Sequence, residues 1–290
     1  MLKRYGVWVI LGAFLAAYLI YSTEKEASTI NSLTYFPRDP AIQFLTATTS
    51  LRQSPNEKGT NGYTIHWTTQ SEINHPVYLR QDVSLLFQNG KLIQINNQWK
   101  QQVKALTFSK SLSMKKEGYF EALTDHYAES HPKDSEIKSQ DVMSWDRLYV
   151  RTKGLKNPES FTYPTKKQDN LFKDKLTTEM EARQTNLINQ ATKTFQLKPE
   201  EYDVFPLNHL VSYQKNPLPG LTEETSHRVI SELWEGLYKN YILGIHEKGR
   251  ALQSPIGSDM PLILYKKSGD QLLVLIRSKS GQLFVLKQMI

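Results

Sequence analysis

The chain has no cysteine. That excludes a structural disulfide, a lipid-modified cysteine and any thiolate metal site. None of its asparagines begins an Asn-x-Ser/Thr site, so an N-glycosylated surface is excluded too. Both absences lean towards a bacterial envelope and away from a eukaryotic secreted domain. Also missing are G-x-S-x-G, H-E-x-x-H, a P-loop and a dinucleotide fingerprint. No cofactor and no metal are therefore expected. After residue 25 no apolar stretch approaches membrane-spanning length.

What is present begins with GVWVILGAFLAAYLIYSTEK, within which Tyr5 to Tyr21 carries no charge. As a helix these residues span roughly 25 Å, slightly less than the ~30 Å hydrocarbon core. Tyr5, Trp8, Tyr18 and Tyr21 suit the two interfaces, and Lys3 and Arg4 can reach headgroups. Ile20 and Ser22 make a poor cleavage site, so a kept anchor is expected in place of a removed signal peptide. Lys3 and Arg4 before the span, against Glu24-Lys25-Glu26 after it, place the N-terminus in the cytoplasm and residues 22–290 outside. Gly12, Ala13, Ala16 and Ala17 put four small side chains on one face of this helix, a membrane-helix contact face for a second copy or a partner's helix.

Lys plus Arg is 36 against 29 Asp plus Glu, a net +7. So mild a charge describes an ordinary solvated surface, and no nucleic-acid partner is expected.

From residue 41 to 151 the signals are those of strands. Tyr63-Thr-Ile65-His-Trp67 alternates, and Leu106, Phe108, Leu112 and Met114 alternate with polar residues. In DVSLLFQNGKLIQINNQW, Asn89-Gly90 predicts a type I′ hairpin pairing Phe87 with Leu92 and Leu86 with Ile93. DVMSWDRLYVR reads as a strand, and YFEALTDHYAES is ambiguous between strand and helix. Pro158 and Pro164 punctuate a lysine-rich connection. Thr165-Lys-Lys-Gln168 predicts a capping box opening a helix to about residue 194, with Phe172, Leu176, Met180, Leu187, Ala191 and Phe195 on its stripe. A second helix starts at Thr222, with Val229, Ile230, Leu233, Trp234, Leu237, Tyr238 and Tyr241 on its stripe. The tail reads as a three-stranded meander with Ser-Gly turns.

The fold class expected is therefore α+β: an N-terminal single transmembrane helix, then an extracytoplasmic part with antiparallel sheets and two amphipathic helices. Its divisions are an anchor over 1–22, a strand-rich part over 23–152, a linker or long connection over 153–164, and a helix-containing part over 165–290.

The chemistry-bearing residues form no decisive set. Ser113-Met-Lys-Lys116 and Ser135-Glu-Ile-Lys138 match S-x-x-K, and Lys267-Ser-Gly269 and Lys279-Ser-Gly281 resemble K-T-G. The pattern needs its serine at a helix N-terminus, whereas Ser113 ends a strand and Ser135 lies in a polar loop. His126 and His131, near Asp125 and Asp134, match no zinc spacing. His227 borders the second helix's apolar stripe. Trp67, Trp99, Trp145 and Trp234 are expected mainly in the core. The function expected is that of a non-catalytic interaction or regulatory protein of the cell envelope. It would be held in the lipid bilayer through residues 5–21 and associate with an envelope protein or with itself. A wall-modifying hydrolase or transferase, or a wall-glycan-binding module using exposed tryptophan, is the alternative.

Overall fold

The computed structural model describes residues 28–29, 36–55, 62–132, 136–152, 158–245 and 252–290. The strands are β1 (Ser28–Thr29), β2 (Phe44–Pro55), β3 (Tyr63–Gln88), β4 (Lys91–Asn96), β5 (Trp99–Met114), β6 (Gly118–Ser130), β7 (Lys138–Thr152) and β8 (Pro158–Phe161). Helix α1 (Lys167–Phe195) follows, then β9 (Tyr202–Pro206), a 3-10 segment (Leu207–Gln214) and α2 (Glu223–Leu237), which runs into a π turn (Tyr238–Ile242). Strands β10 (Leu262–Lys266), β11 (Gln271–Arg277) and β12 (Leu283–Met289) end the chain.

Strand β3 organises the larger sheet. Its first half lies between β2 and β5, and its second half pairs with β6 on one edge and β4 on the other. Register irregularities between Glu72 and Val77 mark a bend that turns the two halves to face each other. Across the interior, Thr69 Oγ1 donates to Gln81 Oε1 at 2.8 Å and Gln81 Nε2 donates to Ser71 Oγ at 2.7 Å. With β7 and β8 continuing from β6, the sheet becomes a nearly closed, barrel-like structure. Strand β2 lies across β7, where the Leu51 amide donates to the Asp146 carboxylate at 2.7 Å.

The barrel interior is layered. One apolar layer holds Tyr63, Ile65, Trp67, Leu86, Phe120 and Leu148, and a second at the bend holds Ile42, Ile73, Val77, Leu79 and Leu106. Between them runs a buried polar chain. Thr49 Oγ1 donates to Thr124 Oγ1 at 2.8 Å and shares a 2.6 Å bond with Ser144, whose hydroxyl meets His126 Nε2 at 2.6 Å. His126 Nδ1 then meets Ser71 Oγ at 2.7 Å. Burial lowers the His126 pKa to about 3, so the ring is neutral, with one nitrogen donating and the other accepting. Each member has a partner, which is the condition for keeping polar groups in such a core.

The smaller sheet has the order β1-β12-β11-β10-β9 and is antiparallel apart from the short β1. One face (Ile263, Tyr265, Leu272, Val274, Ile276) packs with α2 and with Val83, Leu85, Phe87, Leu123 and Met143 of the barrel's outer surface. The other face (Leu262, Leu264, Leu273, Leu275) packs on Leu187 and Ala191 of α1. Strand β11 is thus covered on both sides, which is why Leu-Leu-Val-Leu-Ile runs without alternation.

Several local expectations hold. Asn89 and Gly90 have φ of 50° and 73°, the paired positive values of a type I′ turn, and Phe87 faces Leu92. A register shift then slips β4 by one, so Leu86 faces Gln94 and not Ile93. Thr222 caps α2, its Oγ1 accepting from the Thr225 amide at 3.2 Å. At α1 the reach-back comes from Asp169, not Gln168: its carboxylate accepts from the Lys166 amide at 3.1 Å. YFEALTDHYAES is strand, because β3 and β7 flank it on both edges. The connection over 153–164 contributes β8, paired to β7.

The expected fold class needs correction. Just over half of the chain is antiparallel sheet, dominated by the barrel-like one. Among the described residues no helix is long and apolar enough to cross a membrane. Helix α1 has the length, but charges spread along it from Lys167 to Lys193 prevent a spanning stretch. The expected span over 5–21, with its contact face Gly12, Ala13, Ala16 and Ala17, lies outside the described residues. The single-pass membrane localisation and its inside–outside orientation are therefore withdrawn. What stands in their place is a β-rich fold.

Candidate functional site

A second irregularity in β3 builds the site. Arg80 faces Tyr127 and Val83 faces Asp125, so Gln81 and Asp82 together oppose the single residue His126. This bulge turns the Gln81 side chain into the barrel, where its Nε2 also donates to the Leu106 carbonyl at 3.0 Å, while its backbone N–H donates to the Gln98 carbonyl at 2.9 Å and Asp82 is left beside Arg80 on the outer face. Strands β6 and β7 place Asp125, Tyr127 and Glu129 on that face, with Ser139 and Asp141 across from them. Helix α2 covers it with Ser231, Trp234 and Glu235, and Phe36 and Tyr238 complete the wall. The result is a cavity of about 250 Å³.

Its charge is lopsided. Asp82, Asp125, Glu129, Asp141 and Glu235 line it with one cation, Arg80. The guanidinium reaches Asp82 Oδ2 at 2.5 Å and Glu129 Oε1 at 2.8 Å, and lies 5.5 Å from the Tyr127 ring centre. Glu129 also meets His131 Nε2 at 2.8 Å, and Glu235 meets Lys239 at 2.9 Å. Asp82 and Asp125 are each 5% exposed, and Oδ1 of both has no hydrogen-bond partner among the described residues. Burial pushes the Asp125 carboxyl well above the usual range, and repulsion from Asp141 pushes it the same way. Burial raises Asp82 as well, against the pull of Arg80.

Asp141 joins two further groups. Its Oδ2 accepts from Ser231 Oγ at 3.2 Å, while Oδ1 lies 2.6 Å from His227 Nε2 without hydrogen-bond alignment. The order is therefore serine, aspartate, histidine. A nucleophilic triad needs the imidazole between serine and carboxylate to take the hydroxyl proton, which this order prevents. Among the described residues no group of three or more His, Asp or Glu is placed to hold a metal ion.

Asp125 and His126 are neighbours in the chain, but the strand sends them to opposite faces: Asp125 lines the outer cavity and His126 lies in the interior chain. His131 comes to the cavity's edge through Glu129, and Asp134 lies outside the described residues. His227, at the border of the α2 stripe, touches Asp141. Of the S-x-x-K serines, Ser113 sits on strand β5 and Ser135 lies outside the described residues; Lys267 turns away to the Glu200 carbonyl. Trp67 and Trp234 are buried, whereas Trp99 is 52% exposed and stacks on Tyr78. Asp82, Glu129, Asp141 and Glu235 were missed. The available signal was the two-residue spacing of Asp125, Tyr127 and Glu129, which puts them on one strand face.

No family model matches the chain, and no curated protein or solved structure matches it.

Proposed function

We propose that the protein works by binding and not by turnover, and that its ligand presents a positively charged nitrogen to the cavity beneath α2. The observation that carries this reading is the pair of buried, unpartnered carboxylate oxygens on Asp82 and Asp125. A buried oxygen without a donor costs about 1–3 kcal/mol, and a cationic N–H donor relieves that cost. The aromatic wall suits the same ligand, since a desolvated cation over Trp or Tyr gains ~2 kcal/mol. A ligand of this kind is a lysine-like side chain of a partner protein or a small amine, consistent with an interaction or regulatory role. The glycan-binding alternative has less support. Trp99 stacks on Tyr78 and Tyr78 on His131, so Tyr78 is taken up by its two neighbours and Trp99 by one.

The test is calorimetric titration of the full chain with N-acetyl-lysine methylamide and spermidine, with acetate as the anionic control. The cations should bind, quench Trp234 fluorescence, and lose affinity at least tenfold in Asp82→Asn combined with Asp125→Asn. Equal heats from cation and acetate, or no response to any cation, would refute the reading.

A further inference from the structure

A second cavity, of about 310 Å³, lies beneath the middle of α1 and shares no lining residue with the first. Its origin is geometric. Helix α1 is 29 residues long, about 43 Å at helical rise, and it bridges the two sheets. Phe172 and Leu176 anchor its first half on Tyr119 and Tyr149 of the barrel. Leu187 and Ala191 anchor its second half on the smaller sheet. Between these anchors the helix spans a gap floored by Glu121, Arg147 and Asn208.

The gap has an apolar wall of Tyr149, Met180, Leu187 and Met260, and three cations, Arg147, Lys173 and Arg183. Arg183 donates to the Asn89 carbonyl at 2.9 Å. The Arg147 guanidinium rests over the Trp145 and Tyr163 rings, at 5.3 and 5.1 Å from their centres. Among the described residues neither Arg147 nor Lys173 forms an ion pair, and the Arg147 charge pulls on the Glu121 carboxyl from beyond that distance. Three anions line the cavity as well, Glu121, Glu181 and Asp259. Glu121 accepts from Asn208 Nδ2 at 2.5 Å and from Tyr119 Oη at 3.0 Å. Asp259 is held between Lys91 and Arg277, each at 2.5 Å, and Glu181 lines the cavity from a solvent-exposed position on α1. Concave, mainly apolar sites with a few convergent charges are where small molecules bind.

We propose that this cavity is a second binding site, for a small carboxylic acid with a hydrocarbon body. The carboxylate lies between Arg147 and Lys173, and the chain lies against Tyr149, Met180 and Leu187. Arg is suited to the bidentate grip and Lys to the point contact. The ligand is opposite in charge to that of the first site, so the two sites are separable by experiment.

The probe is octanoate, titrated into the full chain, with octylamine as the control of equal hydrocarbon length. Octanoate should bind, and octylamine should not bind once Asp82→Asn with Asp125→Asn has removed the amine site beneath α2. Arg147→Met with Lys173→Met should weaken octanoate at least tenfold while melting cooperatively. Met180→Trp, which keeps both cations and fills the gap, should weaken octanoate to a similar degree. Asp82→Asn with Asp125→Asn should leave octanoate affinity within twofold. Failure of octanoate to bind the native chain overturns the proposal. So does octylamine binding the Asp82→Asn, Asp125→Asn variant as tightly as octanoate, or undiminished octanoate affinity in Met180→Trp.

Discussion

Replacing Glu121 by glutamine removes one buried charge and little else. The carboxylate is 5% exposed, and its Oε1 accepts from both Tyr119 and Asn208; an amide oxygen can accept both bonds equally well. Burial raises its pKa from 4.5 to about 7, against the opposing pull of those two hydrogen bonds and of Arg147. Between these values the folded chain holds a proton that the unfolded chain has released. Unfolding free energy must therefore fall as pH rises. The contribution is fully present below pH 4.5 and is lost as pH rises through about 7. At ~1.4 kcal/mol for each tenfold change in proton affinity, the interval amounts to about 3 kcal/mol. Glu121→Gln stays in the neutral, low-pH condition at every pH. It should match the native protein at pH 4.5 and exceed it by about 2 to 3 kcal/mol at pH 8. The assay is urea unfolding at half-unit steps from pH 4.5 to 9, followed by tryptophan fluorescence and analysed at constant m. Asp125 and His126 also titrate out of their ordinary ranges, but they are common to both proteins and cancel in the difference. A native-minus-variant difference that does not change with pH would refute the argument.

His126 should act with the opposite sign. Its folded pKa is lowered from 6.5 to about 3, so stability present above pH 6.5 is lost on acidification, and His126→Leu should make that acid limb shallower. At pH 7 the same variant should be less stable by about 1–3 kcal/mol, because Ser71 and Ser144 each lose a buried partner; denaturant midpoints at pH 7 and 4 check both statements. Asn89→Ala should cost about 1–2 kcal/mol, since it removes the acceptor of the Tyr119 amide bond at 2.8 Å and puts alanine at φ 50°. Its thermal midpoint should fall by several degrees, and an unchanged midpoint would count against the turn's role.

Local chemistry was legible in the residues. Asn-Gly demanded positive φ twice, which specifies the β3–β4 turn wherever it lies. Thr222 before two glutamates specifies a helix start, and Ser-Gly pairs specify the β10–β11 and β11–β12 turns, where Gly269 and Gly281 have φ of 77° and 86°. The apolar stripes of α1 and α2 followed from helical periodicity, because a helix chooses its buried face within a few residues. What the residues did not show is which strands meet. Glu121 to Glu129 could be strand or helix until β3 and β7 supplied hydrogen bonds on both edges. The slip opposite Leu86 and the bulge at Gln81 are departures of one residue, and each depends on pairing with a distant segment. Both cavities depend on such pairing throughout. Asp82 and Asp141 come from strands β3 and β7, and Trp234 from a helix after both. Arg147 and Lys173 line one cavity only because α1 crosses the gap between two sheets. Turn geometry and helix faces are decided by neighbours in the chain. A site gathered from three or four elements is decided by the closure of the sheet and by what packs upon it, and only the tertiary structure contains that.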